Sequence, residues 1–568
     1  MEINKKIPFK TSEKTKDIKN KKSFKKSQFK SQSKNSPFSK IQKMLTGSAL
    51  PKKSNLKFIL QNLTVSSLEN YEIIKTYPIG ECTIYIAKDN TGKLSYMAQE
   101  PEIDEGGKRA YTQIMNYLFV SLTYEINEKE KNLEEFVRKR ILEIGKELGM
   151  FRKTALLIEE LTYYAIRDSF GYGIIDVLMH DPNIEDISEE NFLHPVGVAH
   201  REFGDFGLLD TNIRFYTMES ANSFVQKLVQ KTEKSMTAAI PYIDTMTKQG
   251  HRIAATFGKE VSLPGPNFTI RKFTEEPITI VKLLQFGTLD LLIAAYVWLL
   301  LESKAFVLVT GSTSAGKTTT IGALNSLINP QMKITTIEDT PELKINHRHW
   351  QKLITRKTSS LFEDKYEITM DDLIRLSLRS RPDYIIVGEV RGEEISSLIQ
   401  AVATGHGGLT SFHASSPESA FVRMESPPMN VHVGGQMLIS VILQQNRLVD
   451  AHGNSSRRII RITEVIPKDN KVSLETIFEW NAEQKRFLPN NVLGVVKKSA
   501  RLAEIALTNG WKEEDLIAEL VIRMAYLNNM REKGIVKFED VSKEFEKFYF
   551  LPMERYKILL ESTAEFLK

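Results

Sequence analysis

The residues GSTSAGKT, 311–318, follow the apolar run AFVLVT and precede the helical pattern TTTIGALNSLI. Strand, glycine-containing loop and helix in this order are the context that a phosphate-binding loop of the form G-x-x-x-x-G-K-[ST] requires. Glycines let successive N–H groups point inward, and the helix N-terminus adds partial positive charge. We expect Lys317 to reach the β- and γ-phosphates and the Thr318 hydroxyl to contact Mg²⁺. The pattern predicts an ATP site formed by Gly311, Ser312, Thr313, Ser314, Ala315, Gly316, Lys317, Thr318 and Thr319.

Two further predicted strands end in acidic residues. KITTIEDT, 333–340, carries Glu338 near its end, and DYIIVGEVRG, 383–392, carries Glu389. The carboxyl ends of strands in an open parallel sheet converge on the ligand crevice. Both glutamates are therefore candidates to orient a water molecule or to hold Mg²⁺ through water, Glu389 together with Thr318.

Two histidines flank a third predicted strand. TGHGGLTSFHA, 404–414, places His406 before the strand and His413 after it. Since no cysteine accompanies them, a zinc site is disfavoured. We expect them either to sense the γ-phosphate or to tie neighbouring strands together.

The net charge is unevenly distributed along the 568 residues. The first 50 residues carry a net charge of +11, whereas the rest of the chain is near −5. Residues 1–55 are rich in Lys, Ser, Gln and Asn, a composition typical of disorder. Three interpretations stay open for this Lys-rich tail: a solvated segment, contact with an anionic membrane surface, or contact with nucleic acid.

Cysteine content and hydropathy exclude several classes of protein. The one cysteine, Cys82, excludes internal disulfides and multi-cysteine zinc sites, and we expect it to be an inert core thiol. No apolar run reaches the length of a membrane-spanning helix, and the longest, 291–301, is typical of a buried helix. Because the N-terminus lacks an apolar stretch of secretory type, we expect a cytoplasmic protein.

Periodicity divides the rest of the chain into three segments. Residues 56–275 begin with alternating strands around DNTG, a hairpin signal, followed by helices and then short strands with one helix. Residues 276–495 contain the strand–loop–helix motifs. Residues 496–568 are helical, with an apolar face at Leu516, Leu520, Met524 and Leu527 that favours packing over partner docking.

The motifs GSTSAGKT, TTIEDT, RPDYIIVGEVRG and TGHGGLTSFHA resemble, in this order, the Walker A loop, Asp box, Walker B strand and His box of secretion-superfamily ATPases. Stretches such as YYAIRDSFGYGIIDVLMHDPNIEDIS and PNFTIRKF are similar to the archaeal branch, which serves archaella, adhesive pili and type II-like secretion. The likeness covers residues 56–568. The chain departs from the branch at TMTKQG, where a Leu-Pro-Asp-Gly turn is usual, and lacks the four-cysteine zinc module of many bacterial members.

The resemblance implies a fold and a set of site residues. The fold is α/β, with a mixed α+β N-terminal domain (56–275), a RecA-like P-loop NTPase motor domain (276–495) and a small helical C-terminal extension (496–568). Arg252 and Arg271 match arginines that reach the phosphates from the N-terminal domain, where a guanidinium fork suits phosphate oxygens. Glu338 matches the catalytic glutamate and Glu389 the Walker B acid. Further candidates for phosphate or subunit contact are Arg379 and Arg381.

The resemblance also implies a function. It predicts a homohexameric, Mg²⁺-dependent ATPase that drives assembly or secretion of pilin-like subunits through a polytopic membrane platform protein, peripheral at the inner face of the cell membrane. The alternatives are a nucleic-acid-translocating ring ATPase, which the net acidic body disfavours, and a scaffold that binds nucleotide without hydrolysis.

Overall fold

In this computed structural model the structure describes residues 59–65, 68–125, 133–273, 276–356, 367–449, 455–469 and 471–551. The predicted Lys-rich tail, 1–55, and the last part of the predicted C-terminal extension lie outside these residues. The described chain forms two compact units, one built from residues up to Asn62 and from Pro101–Gly173, the other from Leu63–Glu100 and from Ile174 onward.

The strands form two nine-stranded sheets, both in the second unit. The first sheet contains β1 (Tyr71–Ile79), β2 (Cys82–Asp89), β3 (Leu94–Gln99), β4 (Ile184–Glu189), β5 (Gly197–His200), β6 (Leu208–Thr211), β7 (Tyr242–Met246), β8 (Arg252–Thr256) and β9 (Phe268–Arg271). The second contains β10 (Phe306–Thr310), β11 (Ile334–Glu338), β12 (Trp350–Ile354), β13 (Tyr384–Val390), β14 (Gly407–Phe412), β15 (Val441–Val449), β16 (Ser455–Lys468), β17 (Lys471–Asn481) and β18 (Arg486–Leu488).

The helices are distributed over both units. The first unit has α1 (Glu105–Glu125), α2 (Leu133–Glu147), α3 (Phe151–Leu156) and α4 (Ile158–Ser169). The second has α5 (Asp176–His180), α6 (Met218–Gln230), α7 (Ile280–Gln285), α8 (Leu291–Glu302), α9 (Lys317–Leu324), α10 (Met370–Arg379), α11 (Glu394–Ala403), α12 (Pro417–Glu425), α13 (Val433–Gln436), α14 (Val492–Lys498), α15 (Ala500–Asn509), α16 (Glu513–Glu532) and α17 (Phe538–Phe550).

The first unit is a small helical module with its own core. Val137, Ile141 and Ile144 recur at helical spacing on α2 and are buried, so this helix presents one apolar face to its neighbours. Tyr164 on α4 belongs to the same core, and its hydroxyl donates to the Pro101 carbonyl oxygen at 2.6 Å.

The first sheet of the second unit is mixed, in the order β1-β2-β3-β6-β5-β4-β9-β8-β7. The hairpin predicted at DNTG is confirmed, because β2 and β3 pair antiparallel across it and Gly92 has the positive φ of 90° that the turn needs. At the other side of the sheet, Arg252 on β8 stands directly opposite Arg271 on β9.

The second sheet has the order β12-β11-β13-β14-β10-β15-β16-β17-β18 and is parallel from β12 to β15. All five residues of β10 are buried because the sheet is covered on both faces. Val307 and Val309 pack into one core with α7, α8 and α9, while Phe306 and Leu308 pack into a second core with α10, α11 and α12. This arrangement is the α/β, RecA-like architecture expected from the motifs.

The C-terminal helices pack against the helices that cover one face of the second sheet. Arg523 on α16 is buried and forms ion pairs with Glu302 at the end of α8 and with Glu519. The Trp298 indole N–H on α8 donates to the Tyr549 hydroxyl at 2.7 Å. The predicted apolar face of α16 is part of this core, which confirms that it serves packing.

Two expectations about composition can be compared with the structure. Cys82 is buried, as expected for a core thiol. Within the described residues no helix combines the length and apolarity needed to cross a membrane.

Candidate nucleotide site

The predicted phosphate loop connects β10 to α9 and has an unusual backbone. Gly316, the residue before α9, is left-handed with a φ of 90°. Gly311 has a φ of 156°, and a Cβ there would lie 2.1 Å from the backbone oxygen of Gln445. Ser314 has a positive φ of 61°. The loop therefore needs glycine at both ends, because a side chain at either position meets a neighbouring strand or a forbidden backbone region.

Lys317 lies at the start of α9 with 7% of its surface exposed. Its Nζ donates to the Ser312 carbonyl oxygen at 2.9 Å and lies 3.3 Å from His413 Nδ1. Burial lowers the pKa of Lys317 below its ordinary value, partly offset by the charge of Glu389. The ammonium is thus held at the mouth of the loop, where phosphate oxygens would restore the solvation that burial removes.

Glu389 and His413 form a chain of contacts with Lys317. One oxygen of Glu389 contacts His413 Nε2, and the other is ion-paired with the Arg391 guanidinium at 2.5 Å. Burial opposes ionisation of Glu389, but the hydrogen bond and charge of Arg391 and the charges of His413 and Lys317 lower its pKa. The pKa of His413 is lowered chiefly by burial and to a smaller extent by the positive charge of Lys317. A neutral imidazole with its proton on Nε2 can accept from Lys317 and donate to Glu389.

Glu338 at the end of β11 is in a different environment. Only 2% of its surface is exposed. Its Oε1 accepts from the backbone N–H groups of Glu342 at 2.9 Å and Leu343 at 2.8 Å, whereas Oε2 is buried and has no hydrogen-bond partner. Burial raises the pKa of Glu338 to about 7, against the effect of those two hydrogen bonds. One oxygen is fixed by the backbone, and the other is left without a hydrogen-bond partner.

Space for Glu338 comes from a glycine on the adjacent strand. A Cβ on Gly388 of β13 would lie 3.2 Å from Glu338 Cγ, closer than most real Cβ contacts. The glycine before Glu389 therefore lets the two acidic side chains lie at one edge of the sheet.

The two arginines predicted to reach the phosphates stand side by side on the first sheet. Arg252 Nε donates to Asp244 at 3.0 Å, and Arg271 Nε donates to Asp186 at 3.2 Å. Burial raises the pKa of Glu342, four residues after Glu338, while the charges of Arg271 and Arg252 lower it. The guanidinium groups thus act electrostatically on the segment that holds Glu338. Their role toward phosphate stays a prediction.

The structure does not bring His406, Arg379 or Arg381 to this edge. His406 precedes β14, and its ring contacts the Ala401 carbonyl oxygen at 2.9 Å. Arg379 and Arg381 precede β13 and are exposed. Because β13 and β14 run parallel to β10, all three lie at the amino ends of the strands, away from the loop. Within this chain the strand between the two histidines keeps His406 away from the loop, which contradicts the expectation that it senses the γ-phosphate there.

Two side chains that were not predicted from the sequence contact the loop, namely Gln445 on β15 and Arg457 on β16. A third, Thr320 on α9, donates from its hydroxyl to Gln445. Gln445 and Arg457 lie more than a hundred residues after the loop. No local motif marks them, because only the pairing of β15 with β10 brings them to it.

The oxygen donors at the site fit Mg²⁺. The Thr318 hydroxyl and the Glu389 carboxylate are hard ligands of the kind that magnesium prefers. Among the described residues no cluster of three or more His, Cys, Asp or Glu forms a metal cage. A cation shared with nucleotide phosphates needs only one or two protein ligands, and Thr318 and Glu389 would supply them.

Comparison with known proteins relates the geometry to a family. The family model described as type II/IV secretion system protein matches residues 210–493, half of the chain. An uncharacterized protein of Methanocaldococcus jannaschii is 31% identical over 504 residues, covering 83% of this chain and 88% of the relative. A second protein of that organism is 40% identical over 251 residues, 44% of this chain and 90% of the relative.

Among solved structures, the Legionella pneumophila ATPase DotB is 18% identical, with 66% of this chain and 95% of that chain covered and a TM-score of 0.38. The family match includes the phosphate loop, both glutamates and both arginines of the site. The chain is a member of the type II/IV secretion system protein family.

Proposed function

We propose that this chain is a Mg²⁺-dependent ATP hydrolase that drives a membrane-associated secretion or pilus-assembly machine. The observation that carries the proposal is the set of side chains around the loop between β10 and α9. Lys317, His413 and Glu389 form a continuous chain of contacts there, and Glu338 presents an unpartnered carboxylate oxygen.

The two glutamates have environments suited to different roles. Glu389 is paired with two cationic or proton-donating groups and has a lowered pKa, so it stays ionised beside the metal position. Glu338 has a pKa of about 7 and one free oxygen, which suits a group that orients water and accepts its proton near neutral pH. We therefore assign Glu338, rather than Glu389, as the general base.

Charge stabilisation would come from the side chains that point at the phosphates. Lys317 would neutralise charge on the β- and γ-phosphates, and the loop N–H groups would hold the β-phosphate. Mg²⁺, when bound, would withdraw charge from the same oxygens. Arg252 and Arg271 would add two positive charges from the first sheet, exchanging their present carboxylate partners for phosphate oxygens.

The domain boundaries and the machine are part of the same proposal. We retain an N-terminal domain at 56–275, a motor domain at 276–495 and a C-terminal extension at 496–568. Six copies in a ring, a polytopic membrane platform and pilin-like cargo are supported by family membership. The Lys-rich tail would place the ring at the inner face of the membrane through anionic lipid headgroups.

The test is phosphate release by the purified full chain with Mg²⁺ and ATP. We expect Glu338→Gln to lower kcat by at least about 100-fold, the range that a positioned base contributes. The matched control is Glu483→Gln, because Glu483 is an exposed glutamate in the turn after β17.

Adding lipid vesicles or single-stranded DNA to the same assay distinguishes a membrane-associated motor from a nucleic-acid translocase. Stimulation by vesicles containing anionic lipid, lost when residues 1–50 are deleted, supports a membrane-associated motor. Stimulation by single-stranded DNA alone supports a nucleic-acid translocase instead. Nucleotide binding without hydrolysis under all these conditions contradicts the proposed catalytic roles.

A further inference from the structure

Gln445 on β15 touches the phosphate loop at both ends. Its side chain is buried, with 1% of its surface exposed. Its Oε1 accepts from the Thr320 hydroxyl on α9 at 2.7 Å. Its backbone oxygen closes the space beside Gly311, and its Nε2 lies 3.1 Å from where a Cβ on Gly316 would be. One residue therefore contacts the first glycine, the last glycine and the helix that follows.

Arg457 on β16 contacts the middle of the loop. Its Nε donates to the Ser314 carbonyl oxygen at 3.1 Å. Its Cδ lies 3.0 Å from the Cβ position of Gly316, so its aliphatic part covers that glycine. Ser314 has a positive φ of 61°, a conformation that a serine rarely adopts without support. The hydrogen bond from Arg457 holds the carbonyl of this strained residue in place.

These contacts come from β15 and β16, two strands that carry none of the predicted catalytic side chains. The predicted catalytic glutamates lie on β11 and β13, and His413 follows β14. In the strand order, β15 and β16 lie on the opposite side of β10 from these strands. Losing a contact from β15 or β16 would thus change the shape of the loop and leave Glu338, Glu389 and His413 in place.

We propose that Gln445 and Arg457 are positioning residues that hold the phosphate loop in its nucleotide-receiving shape before ATP arrives. Ordering a flexible loop on binding costs free energy, and a loop that is already ordered avoids that cost. The proposal rests on the proposed function insofar as the loop binds a nucleotide. It predicts an effect on nucleotide affinity that exceeds the effect on the chemical step.

The experiment measures the Kd of a fluorescent ATP analogue and the kcat and KM for ATP in the full chain. We expect Gln445→Leu to raise Kd and KM about tenfold, and Arg457→Ala about three- to tenfold, the effect of losing one or two hydrogen bonds. The kcat at saturating ATP should stay within about twofold, because bound phosphates can restore the loop shape. Arg457→Lys should recover part of the affinity, since an ammonium can donate to the same carbonyl.

The matched control is Arg461→Ala. Arg461 lies on the same strand as Arg457 but pairs with Glu418 and Glu479, so its loss should leave Kd unchanged. A double variant of Gln445→Leu with Thr320→Val should raise Kd less than the product of the single effects, because the two side chains share one hydrogen bond.

The outcomes distinguish this inference from the proposed function. Tight binding by the wild type and equally tight binding by Gln445→Leu and Arg457→Ala overturns the positioning role alone. A fall in kcat as large as the rise in KM also overturns it, since that would place the residues in the chemical step. Absence of nucleotide binding by the wild type overturns both proposals.

Discussion

Replacing Glu338 by glutamine should change how stability depends on pH. The carboxyl is buried, and its pKa is raised from 4.5 to about 7 in the folded chain. A group whose folded pKa lies above its unfolded pKa contributes stability that is fully present below the unfolded pKa. That contribution is lost as pH rises through the folded pKa. Glutamine cannot ionise, and its side-chain oxygen can still accept from Glu342 and Leu343.

The size of the effect follows from the two pKa values. A shift from 4.5 to about 7 corresponds to a total of about 3.4 kcal/mol at 1.36 kcal/mol for each pKa unit. About 1.4 kcal/mol of this is already lost at pH 5.5, because the unfolded carboxyl is mostly ionised there. The wild type should therefore lose about 2 kcal/mol relative to Glu338→Gln between pH 5.5 and pH 8.5.

The assay is thermal unfolding of both nucleotide-free proteins across this pH range. The difference in Tm should favour Glu338→Gln increasingly as pH rises, by roughly 2 °C between the two ends. The control is Glu483→Gln, which makes the same substitution at an exposed position in a turn. A Tm difference between wild type and Glu338→Gln that is constant with pH would refute the raised pKa. It would also remove the argument that Glu338 acts as a base near neutral pH.

Three further predictions concern a glycine and two buried charged groups. Gly311→Ala should weaken binding of the fluorescent ATP analogue by more than about tenfold, because the new Cβ would lie 2.1 Å from the backbone oxygen of Gln445. The control is Gly322→Ala, because the atom nearest to its new Cβ would be 3.8 Å away. Glu189 has 1% exposure, no partner for either oxygen and a pKa raised to about 8, chiefly by burial. Glu189→Leu should raise the Tm more at pH 9 than at pH 6, because the wild type loses stability as pH rises through 8. A Tm of the variant below that of the wild type at pH 9 would contradict this. Arg523→Met should destabilise by about 3 kcal/mol in thermal unfolding, because it removes a buried cation from two partly buried carboxylates. Adding Glu302→Gln should recover part of that loss, and full stability in the single variant would show that the ion pairs contribute nothing.

Much of the second sheet could be predicted from the sequence. The runs before GSTSAGKT, in TTIEDT and in DYIIVGEV are all buried strands, because a parallel strand covered on both faces is predominantly apolar and β-branched. The phosphate loop was equally predictable. Its glycines satisfy a local backbone requirement that any chain forming this turn must meet.

The roles of the paired residues were less predictable. His406 and His413 belong to one motif, yet the strand between them puts only His413 beside Lys317. Arg252 and Arg271 were both predicted to reach phosphate, but only strand pairing shows that they stand directly opposite each other. The sequence contains the residue types, whereas strand direction and register decide which of them meet.

Taken alone, the sequence determined the nucleotide loop, the strands that carry the acids and the order of the motifs. These features depend on backbone geometry and hydrophobic burial over short stretches of chain. Only the tertiary structure decided that Gln445 and Arg457 support the loop, and that Glu338 keeps one oxygen without a partner. Those properties depend on contacts between strands and loops that are distant in the chain, and on the water that their packing excludes.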